Sequence, residues 1–524
     1  MTATARQLYP MRPGFGSGWP KAADATPTLQ PTRAHPLLYQ VNTRILLTSL
    51  SHELGRQATL DEVADSALDR IAEDGFDWVW LLGVWQTGAA GRQASLGDPE
   101  LRREYREVLP DFSDLDVSGS CFAIHSYSVH SDFGGNVALK RFRRRIHDRG
   151  MRLMLDFVPN HVAPDHSWVR YHPEYFVRGT EAQIEREPHN YVRVDTLEGR
   201  VVMAHARDPY SAAWPDTLQL NYANAEVREA MASELVNIAA MCDGVRCDMA
   251  MLILPEVFER TWSVRPEPFW PEAITRTRAR QPGFVMMADA SWKLERALQQ
   301  QGFDYTYDKH LYDRLREGHA CSVREHFRAD LDYQQRLARF LENHAEQRAA
   351  AAFPPEMHQS AAIVAFLCAG LRFIHQGQLQ GFSKRIPVGL NRGPVEPGDP
   401  ELEEFYSRLL RCLRHPCAQG DWRLLECKEA SAENATWDSY IGFAWSAADQ
   451  PSLIVAVNYA AMQSQGYLQI PADLLTGNTM QFRDLMGSET YERNGEELRA
   501  RGLYLDLPPW GYRVFEMTSE MQCE

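Results

Sequence analysis

Eight short apolar runs with helix-like stretches between them constrain this chain more than any other feature. The runs are Leu37–Asn42, Trp78–Trp85, Arg152–Pro159, Gly244–Asp248, Gly283–Asp289, Phe303–Asp308, Leu337–Asn343 and Leu371–Gln376. Between them lie amphipathic segments such as Leu60–Asp74, Val137–Arg149, Glu226–Met241, Pro268–Arg280, Met357–Ala369 and Glu401–Leu413. Strands of four to eight residues alternating with longer helices are what a closed parallel (β/α)8 barrel requires. Two connections are long. Gln86–Leu139 follows the second run, and His161–Asn221, rich in Tyr and Trp, follows the third. Loops of that length in a compact domain are usually functional, and in a barrel the loops after strands build the active face.

After about residue 420 the helical period stops. Alternating runs take over at Tyr440–Trp445, Ser452–Tyr459, Tyr467–Ile470, Gly502–Leu507 and Tyr512–Met517, the pattern of a small antiparallel β domain. The expected division is an irregular N-terminal arm over 1–36, a barrel over 37–160 and 222–420, and a small insert over 161–221. A β-sandwich-like domain over 421–524 completes it.

Composition narrows the function. The 524 residues suit a barrel with insertions plus a second domain, and 44% apolar content supports a large core. A net charge of -15 argues against a nucleic-acid partner, because phosphate binding needs a basic face. The longest apolar runs, Trp78–Trp85 and Ala361–Leu371, are too short to span a bilayer, so no membrane partner is expected. Nine cysteines without a CxxC pair, and a first stretch without a signal peptide's apolar core, suggest reduced thiols in a cytoplasmic protein.

Four segments carry chemistry. They are Asp156-Phe157-Val158-Pro159-Asn160-His161, Gly244-Val245-Arg246-Cys247-Asp248-Met249, Val285-Met286-Met287-Ala288-Asp289-Ala290 and Leu341-Glu342-Asn343-His344-Ala345-Glu346. They end the third, fourth, fifth and seventh strands, and each runs from apolar residues into polar ones. Polar side chains at the C-terminal ends of barrel strands read as site residues. Arg246 and Asp248 are two apart and leave one face of their strand. A cation there is expected to lower the pKa of Asp248. Taken alone, the pair reads equally as a structural ion pair.

In order and spacing these segments resemble the four sequence regions of the alpha-amylase superfamily, glycoside hydrolase family 13, and the resemblance runs from about Leu37 to the C-terminus. It implies a retaining glycosidase site for a small sugar or an α-glucan oligosaccharide. Asp248 falls at the nucleophile and Asp289 at the general acid, two groups that retention places about 5–5.5 Å apart. His161 and His344 match histidines that bond sugar hydroxyls, beside Asn343, and Asp156 matches an acidic residue beneath the sugar. Asn160 matches a calcium position. One Asn does not make a calcium site, which takes roughly six to eight oxygens. No cofactor is expected, and calcium at Asn160 stays open.

The chain departs from the family pattern within one subsite. The acid is an aspartate, Asp289, where the family has glutamate. The third carboxylate is replaced by Ala345, and Glu346, pointing to the other side, is a poor substitute. In Cys121-Phe122-Ala123-Ile124-His125-Ser126-Tyr127, Phe122 stands where a tyrosine is common and Ser126 where an acidic residue is frequent. Two readings follow: an enzyme acting on α-glucosides by hydrolysis or glycosyl transfer, phosphorolysis included, or a non-catalytic sugar-binding protein. Fold alone does not choose between them.

Overall fold

A computed structural model describes residues 33–519. Most of the expected N-terminal arm lies outside them. The eight runs form β1 (Leu37–Asn42), β2 (Trp78–Leu82), β3 (Arg152–Phe157), β4 (Gly244–Cys247), β5 (Val285–Ala288), β6 (Tyr305–Tyr307), β7 (Leu337–Arg339) and β8 (Leu371–His375). They close in sequence order, each parallel to its neighbours, with β8 returning to β1. The (β/α)8 barrel is therefore the observed architecture.

The strands read as continuous apolar runs because both faces are buried. In β2, Val79 and Leu81 pack into one core cluster, while Trp78, Trp80 and Leu82 pack into another. Strand ends depart from the expected ranges. β2 stops at Leu82 because Gly83 turns the chain at φ 74°, where an added Cβ would stand 2.7 Å from the Cβ of Cys121. Trp85–Thr87 then starts a separate ribbon with Ile124–Val129. β7 stops at Arg339, four residues short of Asn343. The helix expected over Leu60–Asp74 is a 3-10 turn, Leu60–Glu62, followed by an α-helix, Asp65–Glu73.

Neither long connection is structureless. The one after β2 carries that ribbon and the helices Ala89–Gly97 and Pro99–Val108. The one after β3 folds as a hairpin, Tyr191–Thr196 with Gly199–Ala204. It is anchored where His161–Val162 pairs with Leu218–Gln219. The C-terminal region has a six-stranded and a three-stranded antiparallel sheet, which share a core including Ile454, Leu468, Phe482, Leu505 and Phe515. Four of its strands were not expected from the sequence: Asp421–Leu425, Cys427–Glu429, Thr479–Asp484 and Thr490–Asn494. Among the described residues no helix is long and apolar enough to cross a membrane, and the eight described cysteines are free thiols.

Candidate active site

The parallel register assembles the centre of the site. β3 pairs with β4 so that Asp156 lies directly beside Arg246. Asp248 and Asp289 follow the ends of β4 and β5, and their backbone amides still continue the ladder, donating to the carbonyls of Phe157 (2.8 Å) and Cys247 (3.0 Å). Arg246 spans both carboxylates. One Nη donates to Asp248 and the other to Asp289, each at 2.6 Å. Its guanidinium carbon lies 5.3 Å from the Phe122 ring, 5.5 Å from Trp80 and 5.7 Å from Tyr307. Such an aromatic cage suits a desolvated cation. Asp289 is the more open of the two carboxylates, its side chain 19% exposed against 8% for Asp248.

Backbone strain helps to aim the pair. Met249, directly after Asp248, takes a left-handed conformation at φ 39°. Its N–H is directed at the Asp289 carboxylate. Non-glycine residues in that region cost roughly 1–3 kcal/mol and cluster at functional sites.

Asp156 is buried beneath Arg246. It accepts from the Trp80 indole N–H at 3.1 Å and the Gly83 amide at 2.7 Å. Burial pushes its carboxyl up to about 7, against the pull of Arg246. Burial also raises Asp248 and Asp289, again opposed by Arg246. This corrects the expectation that the cation would leave Asp248 with a lowered pKa: desolvation of a carboxylate outweighs one neighbouring charge here. Three carboxyls face one guanidinium, so the cluster holds a proton more readily than isolated aspartates do.

The two histidines are buried and neutral near pH 7. Burial lowers His161 to about 4 and lowers His344 well below the usual range. His161 donates a ring N–H to the Phe122 carbonyl, and its ring stands edge-on to Trp214 of the insert at 5.6 Å. The Gln40 amide donates to Nδ1 of His344 at 2.9 Å. That fixes the tautomer with the proton on Nε2, leaving an N–H free for a hydroxyl acceptor. Phe122 stands 5.4 Å from the His344 ring, ring to ring. Sequence reasoning missed Gln40, Trp80 and Tyr307.

Two candidates also make bonds within the protein. Asn343 Oδ1 accepts the backbone amides of Ala345 (2.8 Å) and Glu346 (3.0 Å), so it shapes the turn after β7. Asn160 Oδ1 accepts from Gln219 at 3.0 Å, and the Asn160 carbonyl accepts from the same amide, which fastens the end of the insert to the barrel. Among the described residues no group of three or more His, Cys, Asp or Glu side chains is placed to hold a metal ion. Ala345 is exposed, and Glu346 is paired with Lys309 at 2.8 Å. A cavity of about 480 Å³ beside Arg44 is lined by none of the three carboxylates.

With this geometry in view, comparisons with known proteins agree. The family described as "Alpha amylase, catalytic domain" matches residues 122–392, more than half of the chain. "Alpha-amylase MalA" from Haloarcula japonica is 27% identical over 331 residues, 62% of this chain and 41% of that protein. "Alpha-1,4-glucan:maltose-1-phosphate maltosyltransferase" from Salinibacter ruber is 33% identical over 153 residues, 27% of this chain and 21% of that one. The alignments thus span about two fifths and one fifth of those relatives. Among solved structures, the maltogenic alpha-amylase AmyB from Thermotoga neapolitana superposes at TM-score 0.67 and 18% identity, covering 93% of this chain and 99% of that one. The alpha-amylase from Geobacillus thermoleovorans, complexed with acarbose, gives 0.66 and 18%, covering 94% and 100%. The chain belongs to the alpha-amylase family.

Proposed function

We propose that this protein acts on α-glucosides by a retaining mechanism, hydrolysing them or transferring the glycosyl group to an acceptor. The observation that carries the reading is the single guanidinium of Arg246 bonded to both Asp248 and Asp289. Sharing one planar group brings the two carboxyls close together, as a retaining pair requires, whose groups stand roughly 5 Å apart. An inverting pair stands roughly 6.5–9.5 Å apart, with a water between. In this mechanism a carboxylate oxygen of Asp248 bonds to the anomeric carbon as the bond to the leaving oxygen breaks. Asp289 gives its proton to that oxygen. Water or an acceptor hydroxyl then attacks the anomeric carbon, returns a proton to Asp289 and frees Asp248. His344 and His161 hold the sugar's hydroxyls, and Asp156 stabilises the positive charge that develops on the ring.

The test is trapping. A fluorinated glucosyl fluoride reacts at the first step and stalls at the second, so peptide mass mapping should find one glycosyl group on the peptide containing Asp248. A label on any other residue, or no label while the reagent is turned over, overturns the assignment.

The raised pKa values of the pair give a second expected result. Burial keeps Asp289 protonated above the ordinary aspartate range. With an alkyl or sugar leaving group, kcat/KM should fall as pH rises through that raised value, and fall again at low pH as Asp248 takes up a proton. With glucosyl fluoride, whose leaving group needs little acid help, the alkaline limb should be strongly reduced. Identical alkaline limbs for both substrates would remove Asp289 from the acid role.

One observation favours a second reading, a protein that binds sugar without turning it over. Ala345 supplies no carboxylate, and Glu346 is taken up by Lys309.

A further inference from the structure

A second charged site lies apart from the three carboxylates. Arg44 follows β1 in the first turn of the helix Thr43–Leu54 and is 5% exposed. One Nη donates to the Ser118 hydroxyl at 2.8 Å and the Gly119 carbonyl at 2.6 Å, and the other donates to the Thr87 hydroxyl at 3.0 Å. All three acceptors are neutral, and Nε has no acceptor among the described residues. Burial lowers the pKa of this guanidinium, and the charge of no carboxylate acts on it. Taking a cation out of water is costly unless an anion compensates it. Three of the other described buried arginines have that compensation. Arg246 pairs with Asp248 and Asp289, Arg339 with Asp308, and Arg348 with Glu342. Arg372 bonds to carbonyls, but the charge of Asp77 acts on it.

The cavity of about 480 Å³ beside Arg44 gives an anion room. Its walls come from the helix Thr43–Leu54, the loop after β2 and, through Asn391, the loop after β8. Arg92 lines it too. That guanidinium donates to the carbonyls of Val117 at 2.8 Å and Asp114 at 2.7 Å, and no carboxylate stands within ion-pair range of it among the described residues. Asp132 is the one acidic residue in the wall. Its carboxylate is largely exposed and stands 3.7 Å from Nδ1 of His130, not against either arginine. Burial lowers the pKa of His130, and its Nδ1 accepts the Asp132 amide at 3.2 Å. The ring is therefore neutral near pH 7, with its proton on Nε2. The volume falls within the range of small-molecule pockets, roughly 300–1,000 Å³, and is more than a lone ion fills.

From these two guanidiniums, uncompensated on one cavity, we infer that the protein has a second binding site, for a phosphate group carried on a small hydroxylated molecule. A phosphate monoester brings close to a double negative charge and several acceptor oxygens, which two arginine forks with donors to spare can meet. A carboxylate brings a single charge and two oxygens. The hydroxyls of Thr87 and Ser118 and the amide of Asn391 line the same space and suit the rest of such a ligand. Neither Asp248 nor Asp289 takes part, so the site does not depend on the glycosidase reading.

Glycerol 3-phosphate is the probe, with glycerate and glycerol as its carboxylate and uncharged counterparts. Titration calorimetry on the full-length protein, at fixed ionic strength, should find glycerol 3-phosphate bound about tenfold or more tighter than glycerate. Glycerol should not bind at the same concentrations. Arg44→Gln should weaken binding of glycerol 3-phosphate on the order of 10- to 100-fold, the loss of a charge-assisted contact. Arg92→Gln, at a half-exposed position, should weaken it about threefold or more. A melting curve shows that each variant is folded; should Arg44→Gln not fold, Arg92→Gln carries the comparison. No binding of the probe at millimolar concentration, or unchanged binding in either folded variant, would overturn the site. Glycerate bound as tightly as glycerol 3-phosphate would overturn the assignment to phosphate. Asp248→Asn should bind the probe as the parent does. Markedly tighter binding in that variant would place the anion beside the catalytic carboxylates and overturn a separate site.

Discussion

Asp248→Asn is expected to lower turnover of any α-glucoside by roughly 10⁴-fold or more, because an amide cannot serve as the carboxylate nucleophile. The change is nearly isosteric, and Arg246 keeps its bond to Asp289. The variant should therefore fold and still bind sugar. It removes one of three carboxyls that crowd a single guanidinium, which relieves repulsion on Asp156 and Asp289. Steady-state rates on an aryl α-glucoside, set beside a melting curve, give the check. A folded variant retaining more than about a tenth of the parental rate would exclude a covalent step at this residue. The same variant should lose the trapped glycosyl adduct, which separates a missing nucleophile from a mere loss of affinity.

How much of this was legible in the sequence depends on what kind of signal each part leaves. All eight barrel strands were, because burial on both faces makes an unbroken apolar run that turn residues bound. Their ends were less so. Nothing apolar marks the point where β7 leaves the ladder, since Phe340 and Leu341 continue the hydrophobic run into the core beyond it. In the C-terminal region, Thr490–Asn494 is an edge strand with an exposed, polar pattern and leaves almost no trace. Thr479–Asp484 does alternate, burying Met480, Phe482 and Asp484, and was a signal overlooked. At the site, Asp156, His161, Arg246, Asp248, Asp289 and His344 stood out as polar residues at strand ends, and the barrel gathers them. Trp80 and Tyr307 did not, because an aromatic inside an apolar run reads as core. Gln40 was the readable exception, a fully buried amide inside a mostly apolar strand, and it holds His344. The ion pair between Arg385 and Glu104 joins residues 281 positions apart and has no local signature at all.

Restoring the two altered carboxyls together, Asp289→Glu with Ala345→Asp, should make the protein a faster hydrolase of an aryl α-glucoside, by roughly 10²–10⁴-fold from recovered acid catalysis. The structure gives each change a separate task. Asp289 lies back against Arg246 at 2.6 Å, and glutamate would extend about 1.5 Å past that contact toward the leaving oxygen. Position 345 is exposed, and its amide is already fixed by Asn343, so a carboxylate can be added without repacking. It would supply hydroxyl bonds that tighten as the ring becomes oxocarbenium-like, a contribution of several kcal/mol. Glu346 does not compete for this task while Lys309 holds it. The two gains act on one transition state and should not add independently. If the double variant binds sugar and stays inert, the second reading, sugar binding without turnover, gains over the first. If the parent is active and the double variant loses that activity, the shorter Asp289 and the space at Ala345 are fitted to the protein's own substrate. The group that fills that space would then be part of the substrate.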